Sequence, residues 1–369
     1  MRRLRRLVGA DTLAFAIPIV AVVALALTWG SKPATYVLAI VAVLLAGAVL
    51  SAVYHAEVVA HHVGEPLGSV ILAVAVTVIE AGLIVTLMAS GGPETDTLAR
   101  DTVFAAAMIT CNGIVGLTLV IRTARGGAAK FNAEGTATAF ATVLTLATLC
   151  LVLPTFTTSA PGPEFSRAQL TFASVSAVAL YGLFVLVQTV RHRDFFLPVE
   201  DSGVPADSLP EPVARGSSDH RTALSLGALI VALVAVVGLA KVESPGIENA
   251  VDAVGAPQSA VGVVIALLVL LPETLAAIRA ATRGRLQTSF NLAYGSAVAS
   301  IGLTIPVVAL ASIWLEGPLV LGLSSTQIVL LGLTAVVSAL TILPGRATLQ
   351  EGSIHLVIAG AFVLLAVNP

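Results

Sequence analysis

Apolar stretches of about twenty residues recur along this whole chain, each long enough to cross the hydrocarbon core of a bilayer as a helix. Backbone exposed to lipid must satisfy its own hydrogen bonds, so runs of this kind are restricted to helices. Hydrophobic residues make up 57% of the sequence and charged residues only 11%, which excludes an ordinary soluble domain. Eleven spans are predicted, at roughly 12–30, 35–56, 67–90, 102–122, 136–156, 167–190, 222–240, 257–280, 289–314, 324–344 and 351–367. The first follows MRRLRR and carries Ala24-Leu25-Ala26, which mimics a signal cleavage site; its apolar part is longer than a signal core, so it reads as a retained helix.

Charge placement supports this count independently. With eleven spans and a cytoplasmic N-terminus, only Lys32, Arg100, Arg167 and Lys241 of the 19 basic residues fall outside. Adding or removing one internal helix would scramble that split. The expectation is a multi-pass protein of the cell (inner) membrane, with the N-terminus in and the C-terminus out. Cys111 and Cys150 lie inside apolar runs, so neither a disulfide framework nor a cysteine metal site is expected.

The polar segment 191–221 is rich in Pro, Gly, Ser and acidic residues and reads as a cytoplasmic linker. It divides the chain into an N-terminal basic segment and extra helix (1–30), five helices (31–190), the linker, and five more helices (222–369). An odd number of spans per half makes corresponding helices cross in opposite directions. The predicted fold class is therefore an all-α polytopic membrane protein of about 11 transmembrane helices, two inverted repeats of five helices after an extra N-terminal helix. Secondary transporters commonly use such a plan, with ion sites near the membrane midplane.

Glu80 and Glu273 each stand in the middle of an apolar run, VILAVAVTVIEAGLIVTLM and VGVVIALLVLLPETLAAI, one in each half. A carboxylate at that depth costs at least about 2.5 kcal/mol, which marks it as functional by default. Thr77 lies one turn before Glu80 on the same face. Pro272 removes a backbone donor beside Glu273 and frees a carbonyl one turn back. The alternative, an arginine partner within the membrane, is weakened because no basic residue sits centrally in any span. The following span of each half adds uncharged polar groups: Asn112 in one, Asn291 and Ser296 in the other. Small residues there serve close helix packing equally well, and Asn291 falls near the cytoplasmic interface. The stretch HAEVVAHHVGE holds His55, Glu57, His61, His62 and Glu65. Its spacing matches no zinc signature, so it reads as an interfacial turn in which Glu65 and His62 admit protons or cations.

At these residues the chain resembles the calcium/cation antiporter superfamily, specifically its bacterial calcium (and sodium, potassium)/proton branch. The matching stretches are VGEPLGSVILAVAVTVIEAGLIV, RDTVFAAAMITCNGIVGL and LLPETLAAIRAATRGRLQTSFNLAYGSAVASIGLTIPVVA. The resemblance implies two five-helix repeats after an extra helix, and a transported cation held by Glu80 and Glu273. It places Asn112 and Ser296 at family site positions. The plant and fungal members carry Gly-Asn-x-x-Glu where this chain has VTVIE and LLPE.

Two carboxylates neutralise one Ca2+, or each takes a proton. Ca2+ takes about 6 to 8 oxygens, so Thr77, Asn112, Ser296, carbonyls or water must complete the shell. Occupancy is then competitive, and competition coupled to alternating access makes an antiporter. The expectation is export of cytoplasmic Ca2+ against entering protons, without enzymatic activity and with no cofactor beyond the transported ions. Sodium or potassium exchange at the same residues is the alternative; a metalloenzyme built on His55, His61 and His62 is a remote one. Membrane lipid is the expected surrounding, nucleic acid is not a partner, and homo-oligomers are left open.

Overall fold

The computed structural model describes residues 2–31, 33–64, 67–89, 95–124, 127–198, 219–253, 255, 257, 259–315 and 317–369. Its helices are α1 (Arg2–Thr28), α2 (Thr35–Val63), α3 (Leu67–Met88), α4 (Leu98–Thr123), α5 (Ala133–Phe156), α6 (Arg167–Arg191), α7 (Asp219–Ala253), α8 (Ser259–Thr282), α9 (Leu286–Ala311), α10 (Ser325–Ile342) and α11 (Leu349–Val367). Among the described residues ten helices are long and apolar enough to cross a membrane, and Thr12–Thr28 is a shorter apolar helix before them. The protein is an all-α, multi-pass membrane protein. One difference from the expected boundaries matters. α7 continues to Ala253, so 241–253, read above as outer loop, is helical. The expected linker falls mostly outside the described residues.

Helix ends follow local chemistry. Ser166 with Gln169 and Ser324 with Gln327 form reciprocal capping boxes that start α6 and α10. α2 stops at Gly64, whose φ of 78° suits only a residue without a Cβ.

The chain packs as two compact units, and these cut across the two halves of the sequence. Unit 1 comprises Met1–Gly91 and Pro210–Gly255, hence α1, α2, α3 and α7. Pro18 lies inside α1 and lacks the N–H that would bond the Ala14 carbonyl. Two side chains of α2 replace it: Ser51 Oγ donates to Ala14 O at 2.6 Å and His55 Nε2 donates to it at 3.1 Å. α7 approaches closely where it has small residues or meets them: a Cβ on Gly82 of α3 would stand 2.8 Å from Val237.

Unit 2 comprises Gly92–Leu209 and Ala256–Pro369, hence α4 to α6 and α8 to α11. Two short strands, β1 (Ala129–Lys130) and β2 (Arg346–Ala347), pair antiparallel and tie the α4–α5 and α10–α11 connections together. α4 and α11 cross at a pair of glycines: a Cβ on Gly116 would lie 2.9 Å from the Gly352 carbonyl, and one on Gly352 would lie 2.8 Å from Leu119 Cβ. A 3-10 turn, Arg193–Phe196, follows α6 and folds back on the start of α5, where only the absence of a Cβ at Gly135 makes room for Phe195.

Candidate functional site

In unit 1, Thr77 and Glu80 sit one turn apart on the buried face of α3, 5% and 3% exposed. Glu80 is engaged in a polar or electrostatic interaction, as is Glu273. In unit 2, Glu273 is half-buried on α8 directly after Pro272, which leaves the Leu268 carbonyl without its helical donor. Thr274 is turned back on its own helix, its hydroxyl donating to Leu270 O at 2.7 Å.

The helix following each glutamate is interrupted in the same way. α4 widens to π geometry over Ile109–Ile114 and α9 over Ser300–Thr304. A π turn adds one residue to the helical circuit and re-aims the side chains around it, which is why such turns gather at functional sites. The first contains Thr110, Cys111 and Asn112; the second contains Ser300 and Thr304. All five are buried.

Asn112 is the centre of a buried polar chain joining three helices. Thr341 of α10 meets His355 Nε2 of α11 at 3.2 Å, and His355 Nδ1 lies 3.0 Å from Asn112 Oδ1. Asn112 Nδ2 then donates to Thr334 Oγ1 of α10 at 2.9 Å. The directions are consistent when Thr341 donates to Nε2 and the imidazole carries its proton on Nδ1. The amide oxygen of Asn112 thus already accepts one bond and keeps one lone pair. His355 is fully buried and the sequence reading passed over it, although the principle that singled out the two glutamates applies equally to a histidine inside a span.

The other expected residues divide. Ser296 is half-buried on α9, one turn before the π segment. Asn291 is built into a different lattice: its Nδ2 donates to Phe196 O at 2.6 Å and its Oδ1 accepts from Gln287 Nε2 at 2.9 Å. Gln287 in turn accepts from the Asn132 amide at 2.7 Å, so this cluster fastens the 3-10 turn and the start of α5 to α9. Glu65 lies outside the described residues. His62 is exposed at the end of α2 and makes an interaction of its own.

The histidine metalloenzyme reading is corrected. His55 is fully buried and spent on the carbonyl that Pro18 vacates, whereas His61 and His62 are exposed. Among the described residues no three His, Cys, Asp or Glu side chains are grouped to hold a metal.

A further polar feature of unit 2 escaped the sequence reading. A cavity of about 230 Å³ opens where α4, α8 and α10 begin and α11 ends. Its charged lining is Arg100 and Asp101, joined by an ion pair of 2.8 Å. Asp101 also accepts from Thr97 Oγ1 at 2.8 Å and from Gln327 Nε2 at 3.1 Å. Asp101 lies one residue before the span expected from hydropathy, 102–122.

Comparison with known proteins agrees with this architecture. The sequence profile of the family described as sodium/calcium exchanger protein matches residues 33–190 and 224–368. The chain is 46% identical over 327 residues to y4hA of Sinorhizobium fredii, provisionally described as an ionic transporter, covering 88% of this chain and 87% of that one. It is 32% identical over 350 residues to the sodium-potassium/proton antiporter ChaA of Escherichia coli, covering 94% of each. Among solved structures it is similar in fold to native YfkE, with a TM-score of 0.69 at 15% identity over 97% of this chain and 99% of that one. The H+/Ca2+ exchanger CAX gives 0.67 at 16% identity, over 97% and 92%. This chain belongs to the sodium/calcium exchanger family, within the calcium/cation antiporter superfamily, and is a cation antiporter rather than an enzyme.

Proposed function

We propose that the protein exports cytoplasmic Ca2+ in exchange for protons by alternating access, with Glu80 and Glu273 binding cation or protons in competition. The observation that carries the reading is a buried or half-buried carboxylate within one membrane-spanning helix of each unit. Thr77 beside Glu80, Asn112 in the first π turn and Ser296 just before the second are the proposed oxygen donors. Two anions and a handful of neutral oxygens match the charge and appetite of Ca2+. Protonation empties the same groups, which couples the two flows. Export of Na+ or K+ through the same residues is the second reading, and its support is the likeness to a sodium-potassium/proton antiporter.

Inside-out membrane vesicles with an acid interior decide between them when Ca2+, Na+ or K+ is added and the proton gradient is followed. Collapse with Ca2+ alone supports calcium exchange, and collapse with Na+ or K+ alone moves the substrate to monovalent ions. Glu80→Gln and Glu273→Gln abolish exchange while the folded protein is recovered in normal yield. Substantial transport by either variant refutes the two-carboxylate site.

A further inference from the structure

Unit 1 contains a second carboxylate within its helices. Glu243 of α7 is 6% exposed, and its Oε2 has no hydrogen-bond partner. The carboxylate occupies a notch on its own helix: a Cβ on Gly246 would lie 2.5 Å from Glu243 Oε1 and 3.3 Å from Leu38 Cδ1 of α2. Gly246 leaves that space open, and Leu38 helps to close it. A carboxylate oxygen buried without a hydrogen-bond partner is costly as part of an anion, which favours a cation or a proton on the group.

The surroundings choose between the two. Ca2+ needs about 6 to 8 oxygens and Na+ or K+ several, whereas the atom of another helix nearest the notch at Gly246 is a Leu38 methyl. A proton needs only the carboxylate. Among the described residues, the other charged and titratable groups on the packed elements are committed or distant. Lys241 lies two residues away on a different face of α7, with its ammonium 5.5 Å from the ring of Trp29. Tyr36 of α2 is exposed, while His55, Glu57, His61 and His62 stand at the opposite end of that helix. On α3 the remaining carboxylate is Glu80, and the arginines of α1 open that helix at its far end.

Position connects Glu243 with Glu80. α1 and α7 run side by side in the same direction, as the pairs Leu25–Gly238 and Trp29–Lys241 show. Val237 of α7 packs on Gly82 of α3, two residues beyond Glu80. Glu243 is six residues further along α7, which sets it about 12 Å beyond the level of Glu80, toward the end where α1 stops and α2 begins.

We propose that Glu243 is a proton-binding site of the exchanger, loading a proton at that end of unit 1 for delivery to Glu80, with water as the carrier between them. The step moves one proton from water to the Glu243 carboxylate and from there to the Glu80 carboxylate, so charge and atoms balance. The inference rests on the antiport reading, and its test separates the two. In proteoliposomes, Glu243→Gln lowers proton-coupled cation flux at least about tenfold and flattens its pH profile. Cation-for-cation exchange, followed with radioactive Ca2+ or Na+ at equal pH on both sides, continues. Glu243→Asp restores part of the coupled flux. In parallel, infrared difference spectra of the purified protein after a pH change lose one protonated-carboxyl band in Glu243→Gln; this readout needs no transport. An unchanged pH profile with an unchanged spectrum overturns the proposal, and so does equal loss of both exchange modes, which marks a merely structural residue. A wild-type protein that exchanges no cation for protons would instead overturn the antiport reading and leave the infrared result to decide the site.

Discussion

Replacing Ser51 with Ala and His55 with Phe removes both donors from the Ala14 carbonyl while keeping a ring between Phe15 and Tyr54, the neighbours of His55. The carbonyl cannot recover its helical bond, because position 18 is proline. Each lost side-chain bond inside a membrane protein is worth about 0.6 kcal/mol. An orphaned buried acceptor adds about 1–3 kcal/mol. The double variant should therefore lose roughly 2–4 kcal/mol. Pro18→Ala returns an N–H to α1 at the position that serves Ala14, so it should recover the orphan's share, about 1–3 kcal/mol, over and above its effect in the wild type. Unfolding in mixed detergent micelles, with the four proteins arranged as a double-mutant cycle, measures that coupling. Effects that add within about 0.5 kcal/mol refute the claim that Ser51 and His55 stand in for the proline's missing donor. The His55→Phe protein should also retain ion exchange. A folded but inactive protein would restore the histidine as a functional group.

Two further outcomes follow from packing and charge in unit 2. Gly352→Ala forces a Cβ to 2.8 Å from Leu119 Cβ and 3.0 Å from the Val120 amide, and should destabilise by about 1–3 kcal/mol; Gly360→Ala on the same helix meets nothing within 4 Å and should not, so equal melting temperatures for the two variants refute the close crossing. Asp101→Asn leaves Arg100 beside a neutral amide in the cavity wall and should cost about 3 kcal/mol in the same unfolding assay, whereas a loss below about 1 kcal/mol would show the pair to be solvated.

The sequence resolved what depends on the bilayer as a solvent. Runs of apolar residues can only be helices there, so the all-α, multi-pass fold class was legible without coordinates. The same reasoning singled out Glu80 and Glu273, because an ionisable side chain is conspicuous against an apolar run. It stopped where the run was judged to stop. Glu243 and Asp101 lie outside the spans expected from hydropathy, yet both are buried within helices. His55 and His355 show a different limit. Each is a fully buried histidine, and sequence cannot tell that one completes a proline-broken helix while the other holds Asn112.

Tertiary structure alone decided how the helices are grouped. The compact units do not coincide with the two halves of the sequence: each draws helices from both, and glycines such as Gly82 and Gly238 admit α7 against α1 and α3. It alone revealed the π turns, since an extra residue in a helical circuit leaves no mark on hydrophobic periodicity. It also gave the two asparagines their separate partners: Asn112 joins three helices in a buried chain, and Asn291 fastens a 3-10 turn. Lipid acts on every residue through its composition, which one dimension records. A polar side chain's partner lies on another helix, often more than two hundred residues away, and only the packed helices bring the two together.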